Sequence, residues 1–426
     1  MLMMKTKLAC VAASLMFSLS LSGCATGNQT NNVKTDFGVS ATQITLGALS
    51  DLSNLYQGSA PSIVAGNQLY FADRNKNSKI CGRDVIIDVQ DHASSSEKAV
   101  SEFAAMEPHI LAITQLLGSP QQAALQNAVS SAGITAMLAG WSSMMLVTPT
   151  APNKKYFVLA GTTYPLDVIN GLQWMQDANK IKKGDTLGYL YAQGGFGGDA
   201  VKGGQYFADK AGYTLASTAL VGNETDLTSQ VAGLKAKNIT ALVVSGGPVL
   251  LKAAVSAVKS AGLNIPVLSN SPGYEASFTA ASSGTAAFFS SNVFLTTSLR
   301  PTSDANTDVL KKVQTLFTEA QKAETVSSTV VNDQHLNYGY AMASILGQAM
   351  DAACKSGDMT RAGLNAALGT LSKVVTGVTV DLDYTDRSKS PSTASYILQP
   401  DASALGGSRL IKNVGTTELA RAYSAQ

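Results

Sequence analysis

Histidine is scarce: there are 3 in 426 residues, and His92, His109 and His335 fit no metal-ligand spacing. Acid–base and zinc chemistry therefore have few groups to draw on. The chain also lacks a Gly-x-Ser-x-Gly elbow, a His-Glu-x-x-His pair and a Gly-x-x-x-x-Gly-Lys-Ser/Thr loop. The glycine cluster 194–198 is not a dinucleotide fingerprint; it reads as a place where backbone approaches something closely. No enzyme, cofactor or metal is expected, and the histidines read as surface or hydrogen-bonded side chains. Charge is low as well: 14% of residues carry it, 31 basic against 29 acidic, for a net +2. Nucleic-acid binders gather Lys and Arg on one face, so no nucleic-acid partner is expected. Beyond the extreme N-terminus no segment approaches the ~20 apolar residues of a membrane-spanning helix.

Cysteine is nearly as rare, at positions 10, 24, 81 and 354. Lys5 and Lys7 precede a short apolar stretch from Leu8 to Leu19, and small residues lead into Leu21-Ser22-Gly23-Cys24. This is the order of an export signal. Its last tetrapeptide resembles the lipobox of bacterial lipoproteins, whose cysteine is acylated and becomes the mature N-terminus. Residues 1–23 are expected as a lipoprotein signal peptide and Cys24 as the lipid attachment site; an ordinary secretory signal is the alternative. The polar stretch 24–41 reads as a flexible tether. Acyl chains on Cys24 would hold the body at a membrane without a spanning helix, which places it in the cell envelope or periplasm. Cys10 leaves with the signal, so Cys81 and Cys354 remain. An oxidising compartment favours a disulfide between them, with two separate buried thiols as the alternative. A bridge closing so long a loop is worth on the order of 5 kcal/mol in the chain-entropy account.

What the sequence has in abundance is alternation. Strand-like runs at 44–49, 85–89, 110–117, 134–138 and 156–159 are separated by helical spacing at 57–74, from about 96, and at 120–132. The pattern restarts with helix 164–178, strand 186–191, helix 199–211, strand 213–221, helix 227–237, strand 241–245, helix 249–261 and strand 265–268. A strand at 293–297 precedes long helices at 304–322 and 336–355. Such alternation predicts an α/β fold with right-handed crossovers and parallel sheets covered on both faces. The late succession of helices does not supply the eight strands of a closed barrel.

Several short pieces carry a resemblance. They are Ile44-Thr45-Leu46-Gly47 running to Gly58, Gly82-Arg83-Asp84-Val85 leading into Asp88-Val89-Gln90-Asp91, Gly118-Ser119, the run from Ile134 to Leu138, and Gly194-Gly195-Phe196-Gly197. Later come Asp226-Leu227-Thr228, Gly246-Gly247 and Asn337-Tyr338-Gly339-Tyr340-Ala341. In this order they resemble the type I periplasmic solute-binding proteins of ABC transporters, of the branched-chain amino-acid (leucine/isoleucine/valine-type) family, over residues 42–410. The resemblance implies two lobes, each a parallel β-sheet flanked by helices, joined by three hinge crossovers near Gly161, Thr296 and Gly377. One lobe would combine 42–160 with 296–376, the other 161–295 with 377–412, leaving 413–426 as a tail. It implies a small-molecule solute captured between the lobes and delivered to ABC permease and ATPase subunits. An envelope sensor using the same clamp to signal to a membrane partner is the alternative.

Ligands of open parallel sheets bind beyond the carboxyl ends of the strands. Ser119 follows such an end, with Pro120 suited to the first helical turn and Gln122 in capping-box register. A helix start of this kind favours a carboxylate. The resemblance assigns Gly118, Ser119 and Ser142 to a ligand carboxylate, with Ser119 as a simple helix cap the alternative, Tyr56 or Gln57 to a covering position, and Phe196, Gly247 and the loop through Tyr274 to the opposing lobe. A shift of that loop would bring in Glu275, and Tyr274 and Glu275 as exposed helix-start residues are the alternative. Trp141 would stack on the solute or fill the cleft wall. Family members that bind amino acids place an acidic side chain near position 271 or 272, where this chain has Ser271 and Pro272; Glu275 follows a few residues later. An aromatic or aliphatic carboxylate or an amide-type solute is therefore expected as readily as a branched-chain amino acid.

Overall fold

The computed structural model describes residues 33–304 and 307–424. The signal peptide, Cys10, Cys24 and the first part of the tether lie outside the described residues. From Val33 the chain runs β1 (Lys34–Thr35), β2 (Gln43–Ser50), α1 (Ala60–Asn77), β3 (Asp84–Asp91), α2 (Ser96–Met106), β4 (Ala112–Leu117), α3 (Ser119–Ser131), β5 (Thr135–Ala139) and β6 (Phe157–Leu159). Strands β2 to β6 form a five-stranded parallel sheet in the order β3-β2-β4-β5-β6. Every residue of β4 and β5 is buried, as expected of parallel strands covered on both faces.

The second half runs α4 (Tyr164–Asp177), β7 (Thr186–Ala192), α5 (Gly197–Ala211), β8 (Thr214–Leu220), α6 (Thr228–Lys235), β9 (Ala241–Ser245), α7 (Pro248–Ser260), β10 (Val267–Asn270), α8 (Ala286–Asn292) and β11 (Val293–Thr297). The chain then returns to the first lobe for α9 (Asp308–Lys322), α10 (Gln334–Lys355), β12 (Asp358–Met359) and α11 (Arg361–Leu368), and ends with β13 (Ser395–Pro400), β14 (Ser408–Gly415) and α12 (Glu418–Ser424). The second sheet has seven strands in the order β14-β13-β11-β10-β9-β7-β8. It is parallel except at β13 and β14, which pair antiparallel. The two separate sheets exclude a closed barrel.

The structure corrects several boundaries. The helix expected from Gln57 starts at Ala60, with Ser59 as its N-cap and Pro61 in its first turn, because proline suits an opening position and not an interior one. Thr296 pairs within β11, so the chain leaves the second sheet just after it. The end of the expected tether is docked: β1 pairs with β12, and Asp36 accepts the Arg361 N–H at 3.0 Å. The expected tail is packed too. Residues up to Gly415 extend β14, Thr417 Oγ1 donates to Asn170 at 2.8 Å, and the rings of Tyr206 and Tyr423 meet at 5.0 Å.

Helices α1 and α10 cross with almost no gap. A Cβ on Gly66 would stand 2.1 Å from the Leu336 carbonyl, and one on Gly339 would stand 1.9 Å from that of Ile63. No other residue fits at either position, and the crossing fixes the start of α10 against the sheet. Cys81 and Cys354 form a disulfide that ties the end of α10 to the loop before β3. Replacing both cysteines by alanine should destabilise the protein by about 2–5 kcal/mol. Thermal denaturation of the double variant beside the oxidised wild type checks this.

Asp167, in the first turn of α4, is fully buried and accepts from Ser395 Oγ at 2.5 Å. Burial pushes its carboxyl up to about 8, against the smaller opposing effect of the Ser395 hydroxyl. The unfolded chain loses this proton near pH 4, while the folded chain keeps it until about pH 8. Stability from this group is therefore greatest in acid and falls as pH rises through that window. Asp167→Asn removes the titration, so its melting temperature should gain on the wild type between about pH 5 and 8 and hold a constant lead above. A gap that does not change with pH would refute the assignment.

Candidate functional site

A cavity lies where the carboxyl ends of β4, β5 and β10 meet the helix starts of α1, α3 and α10. The space within it that a water-sized sphere can reach is about 40 Å³, and the adjoining mouth of the cleft offers about 420 Å³. The wall is mainly aromatic and aliphatic, with Tyr56, Ile63, Trp141, Tyr164, Phe196, Leu299 and Tyr338 on it. Trp141 packs at 4.4 Å on Tyr338, and Phe196 from the second lobe stacks at 4.4 Å on Tyr164. Both Tyr338 and Trp141 are buried. The Tyr338 hydroxyl donates to the Leu138 carbonyl and accepts the Gly140 N–H, each at 2.9 Å, so it is held and satisfied. Among the described residues no Asp or Glu belongs to the wall.

Ser119 is part of the wall, but not as a cap. Gly118 is the N-cap, with a φ of +96° that glycine adopts without strain. Gln122 spends its amide on the Leu116 carbonyl at 3.0 Å, so the expected capping box does not form. Among the described residues the Ser119 hydroxyl has no hydrogen-bond partner, which leaves it available at a helix start where first-turn N–H groups are also unpaired. Gly195 of the second lobe comes over it: a Cβ there would lie 3.2 Å from the Ser119 side chain and 3.6 Å from Ser142 Oγ. The glycine cluster does bring backbone close to the cleft.

Tyr56 also reaches the wall. Its loop is shaped by Asp51, which is buried at the end of β2 and accepts the Asn54 and Tyr56 N–H groups at 3.1 and 3.0 Å. Burial, aided by the charge of Asp51, pushes the Tyr56 hydroxyl up to about 12, so it stays protonated as a donor. Gly247 backs onto that hydroxyl and lines the adjoining mouth of the cleft.

Other expected residues are elsewhere. Gln57 is exposed and outside the wall. Tyr274 is turned into the second lobe's core against Phe278 and Phe289, and its hydroxyl donates to the Gly407 carbonyl. Glu275 packs against Gly58 of the first lobe and does not line the cavity. Burial raises its carboxyl above the ordinary carboxylate range. Ser142 also lies off the cavity wall and faces a carboxylate of the protein itself. Asp199, buried in the first turn of α5, accepts Ser143 N–H and Ser143 Oγ at 2.6 Å each and lies 3.5 Å from Ser142 Oγ. Lys202 approaches the same carboxylate at 3.4 Å.

Two residues escaped sequence reasoning. Asp199 carried no signal beyond its place near a helix start. His335 is a hydrogen-bonded histidine as expected, its Nδ1 on Asp333 at 2.9 Å; that it is also part of the cavity wall was not anticipated. Its place just after Asp333, ahead of an apolar helix, was the available hint.

Residues 43–404 match the periplasmic binding protein family. No curated protein matches the chain. Among solved structures, a fatty acid ABC transporter substrate-binding protein from Thermomonospora curvata is 30% identical with a TM-score of 0.84, covering 92% of this chain and 97% of its own. A branched-chain amino-acid ABC transporter protein from Thermus thermophilus, with bound valine, is 15% identical with a TM-score of 0.75, covering 90% and 99%. The second shows likeness of fold alone. With the family matched over nearly the whole described body, and two lobes enclosing a cavity at the strand ends, this chain belongs to the periplasmic binding proteins, which bind solutes without transforming them.

Proposed function

We propose that this chain is the extracytoplasmic solute-binding lipoprotein of an ABC importer, anchored through Cys24. We further propose that its solute is a carboxylate with an apolar body. One observation carries the reading: an unpaired serine hydroxyl at the start of α3 faces a wall of aromatic and aliphatic groups that holds no carboxylate. The α3 start would take the anion, while an ammonium group would be buried unpaired at a cost of several kcal/mol. A branched-chain amino acid is therefore a poorer fit than the corresponding amine-free acid. The 30%-identical relative, a fatty acid ABC transporter substrate-binding protein, supports the same class. Closure of the two lobes about the crossovers would complete the site.

Calorimetry and thermal shift of the mature body should show binding of straight-chain, branched or aromatic carboxylates. A ligand at 100 times its dissociation constant adds about 2.7 kcal/mol of stability. Tighter binding of leucine than of its amine-free analogue would overturn the assignment.

A further inference from the structure

Besides Ser119 and the Tyr56 hydroxyl, the cavity wall carries one imidazole. His335 is 6% exposed and its ring forms part of the wall. Its Nδ1 is 2.9 Å from Asp333 Oδ2, and the other oxygen of the same carboxylate accepts the His335 N–H at 2.9 Å and the Leu336 N–H at 3.3 Å. Asp333 is the N-cap of α10, so both of its oxygens are committed and the ring orientation is fixed. Nδ1 is turned back to Asp333, which leaves Nε2 as the nitrogen for the cavity. Among the described residues Nε2 has no partner. An imidazole nitrogen on this wall that no protein group takes up can pair with a ligand; on the same wall the buried Trp141 Nε1 is also left without a partner.

We propose that His335 is a specificity-determining residue that hydrogen-bonds a hydroxyl carried by the solute away from its carboxylate. The solute class is then a hydroxylated carboxylic acid with an apolar body. This rests on the carboxylate reading above and adds to it.

Charge decides between a hydroxyl and a second carboxylate. Two carboxylates face the imidazole: Asp333 from the cap of its own helix and Glu275 from the segment after β10, with Lys252 of α7 facing Glu275 in turn. Burial works against a charge on His335, but Asp333 and Glu275 outweigh it and hold the imidazole above its ordinary value. A hydroxyl serves the charged ring and the neutral one alike. Its oxygen accepts from Nε2–H when the ring is charged, and its O–H donates to Nε2 when the ring is neutral. A second carboxylate would serve only the charged ring and would be repelled by both neighbouring carboxylates. The mainly aliphatic and aromatic wall favours an apolar body between the two ends.

The test is calorimetry of the mature chain with a straight-chain carboxylate and its terminal-hydroxyl analogue of equal length, over several lengths, and with phenylpropionate and its ring-hydroxylated analogue. The variants are His335→Leu and His335→Gln, each checked for an unchanged melting transition. In the wild type at least one hydroxylated acid should bind more than about tenfold tighter than its partner, since a site built to pair a hydroxyl discriminates strongly against its loss. His335→Leu should erase that preference while still binding the plain acid. His335→Gln, which keeps a donor and an acceptor, should retain part of it. Equal binding within every wild-type pair, or a preference that survives in His335→Leu, would overturn the inference and leave the carboxylate reading standing. Failure of every acid to bind would overturn both.

Discussion

Asp199→Ala should weaken solute binding by about 10- to 100-fold and leave the ligand-free protein more open in solution scattering. The residue belongs to the second lobe, and its carboxylate ends on the Ser143 N–H and hydroxyl of the first. A hydrogen bond to a charged group contributes about 1.5–3 kcal/mol, which is one to two decades of affinity if it favours the closed form that grips the solute. Asp199 is 0% exposed, so water does not screen the contact as it would at a surface. The effect should appear mainly as faster release of the solute. Asp199→Asn keeps an acceptor for the Ser143 N–H without the charge and should fall between wild type and alanine. Ser143→Ala removes one partner from the other side, and a double-mutant cycle should show coupling between the two positions. Unchanged affinity and unchanged scattering in Asp199→Ala would show that the contact has no part in closure.

The second large effect is expected from Ser119→Asp, which separates binding from folding. An acidic residue in the first turn of α3 suits the helix dipole and adds about 0.3–1 kcal/mol to stability. The melting temperature should hold or rise slightly. The same carboxylate would stand where the solute's own carboxylate is proposed to sit. Like charges about 4 Å apart at an effective dielectric near 20 repel by about 4 kcal/mol, so affinity for carboxylates should fall by more than ~100-fold. Ser119→Ala, which loses only a neutral hydroxyl, should cost about fivefold. An aspartate variant that folds and still binds the acid would move the anion away from α3.

The architecture was legible because parallel strands and their crossover helices leave long, periodic signals. Gly118-Ser119-Pro120 marked the start of α3 from local chemistry alone, since glycine supplies the left-handed φ and proline the opening turn. The same reasoning went wrong at Gln122, whose amide found a carbonyl six residues back. It missed β13 and β14, an antiparallel pair that no crossover helix punctuates and whose second strand alternates weakly. Tyr274 was misplaced because nothing local indicates that its ring turns toward Phe278 and Phe289, or that its hydroxyl finds a partner 133 residues on.

The order of strands and helices and the paucity of catalytic groups follow from the sequence by itself, because each depends on composition or on neighbours a few positions apart. The last two cysteines were an expected pair with separate thiols as the alternative, and the fold decided it by joining them across 273 residues. Tertiary structure alone decided which polar groups face the solute. Asp199 meets Ser143 across 56 residues, and Glu275 reaches the backbone of Gly58 from the opposite lobe. Whether a buried side chain is satisfied by the protein or left open to a ligand is set by such distant partners, and the spacing of residues along a chain does not contain that information.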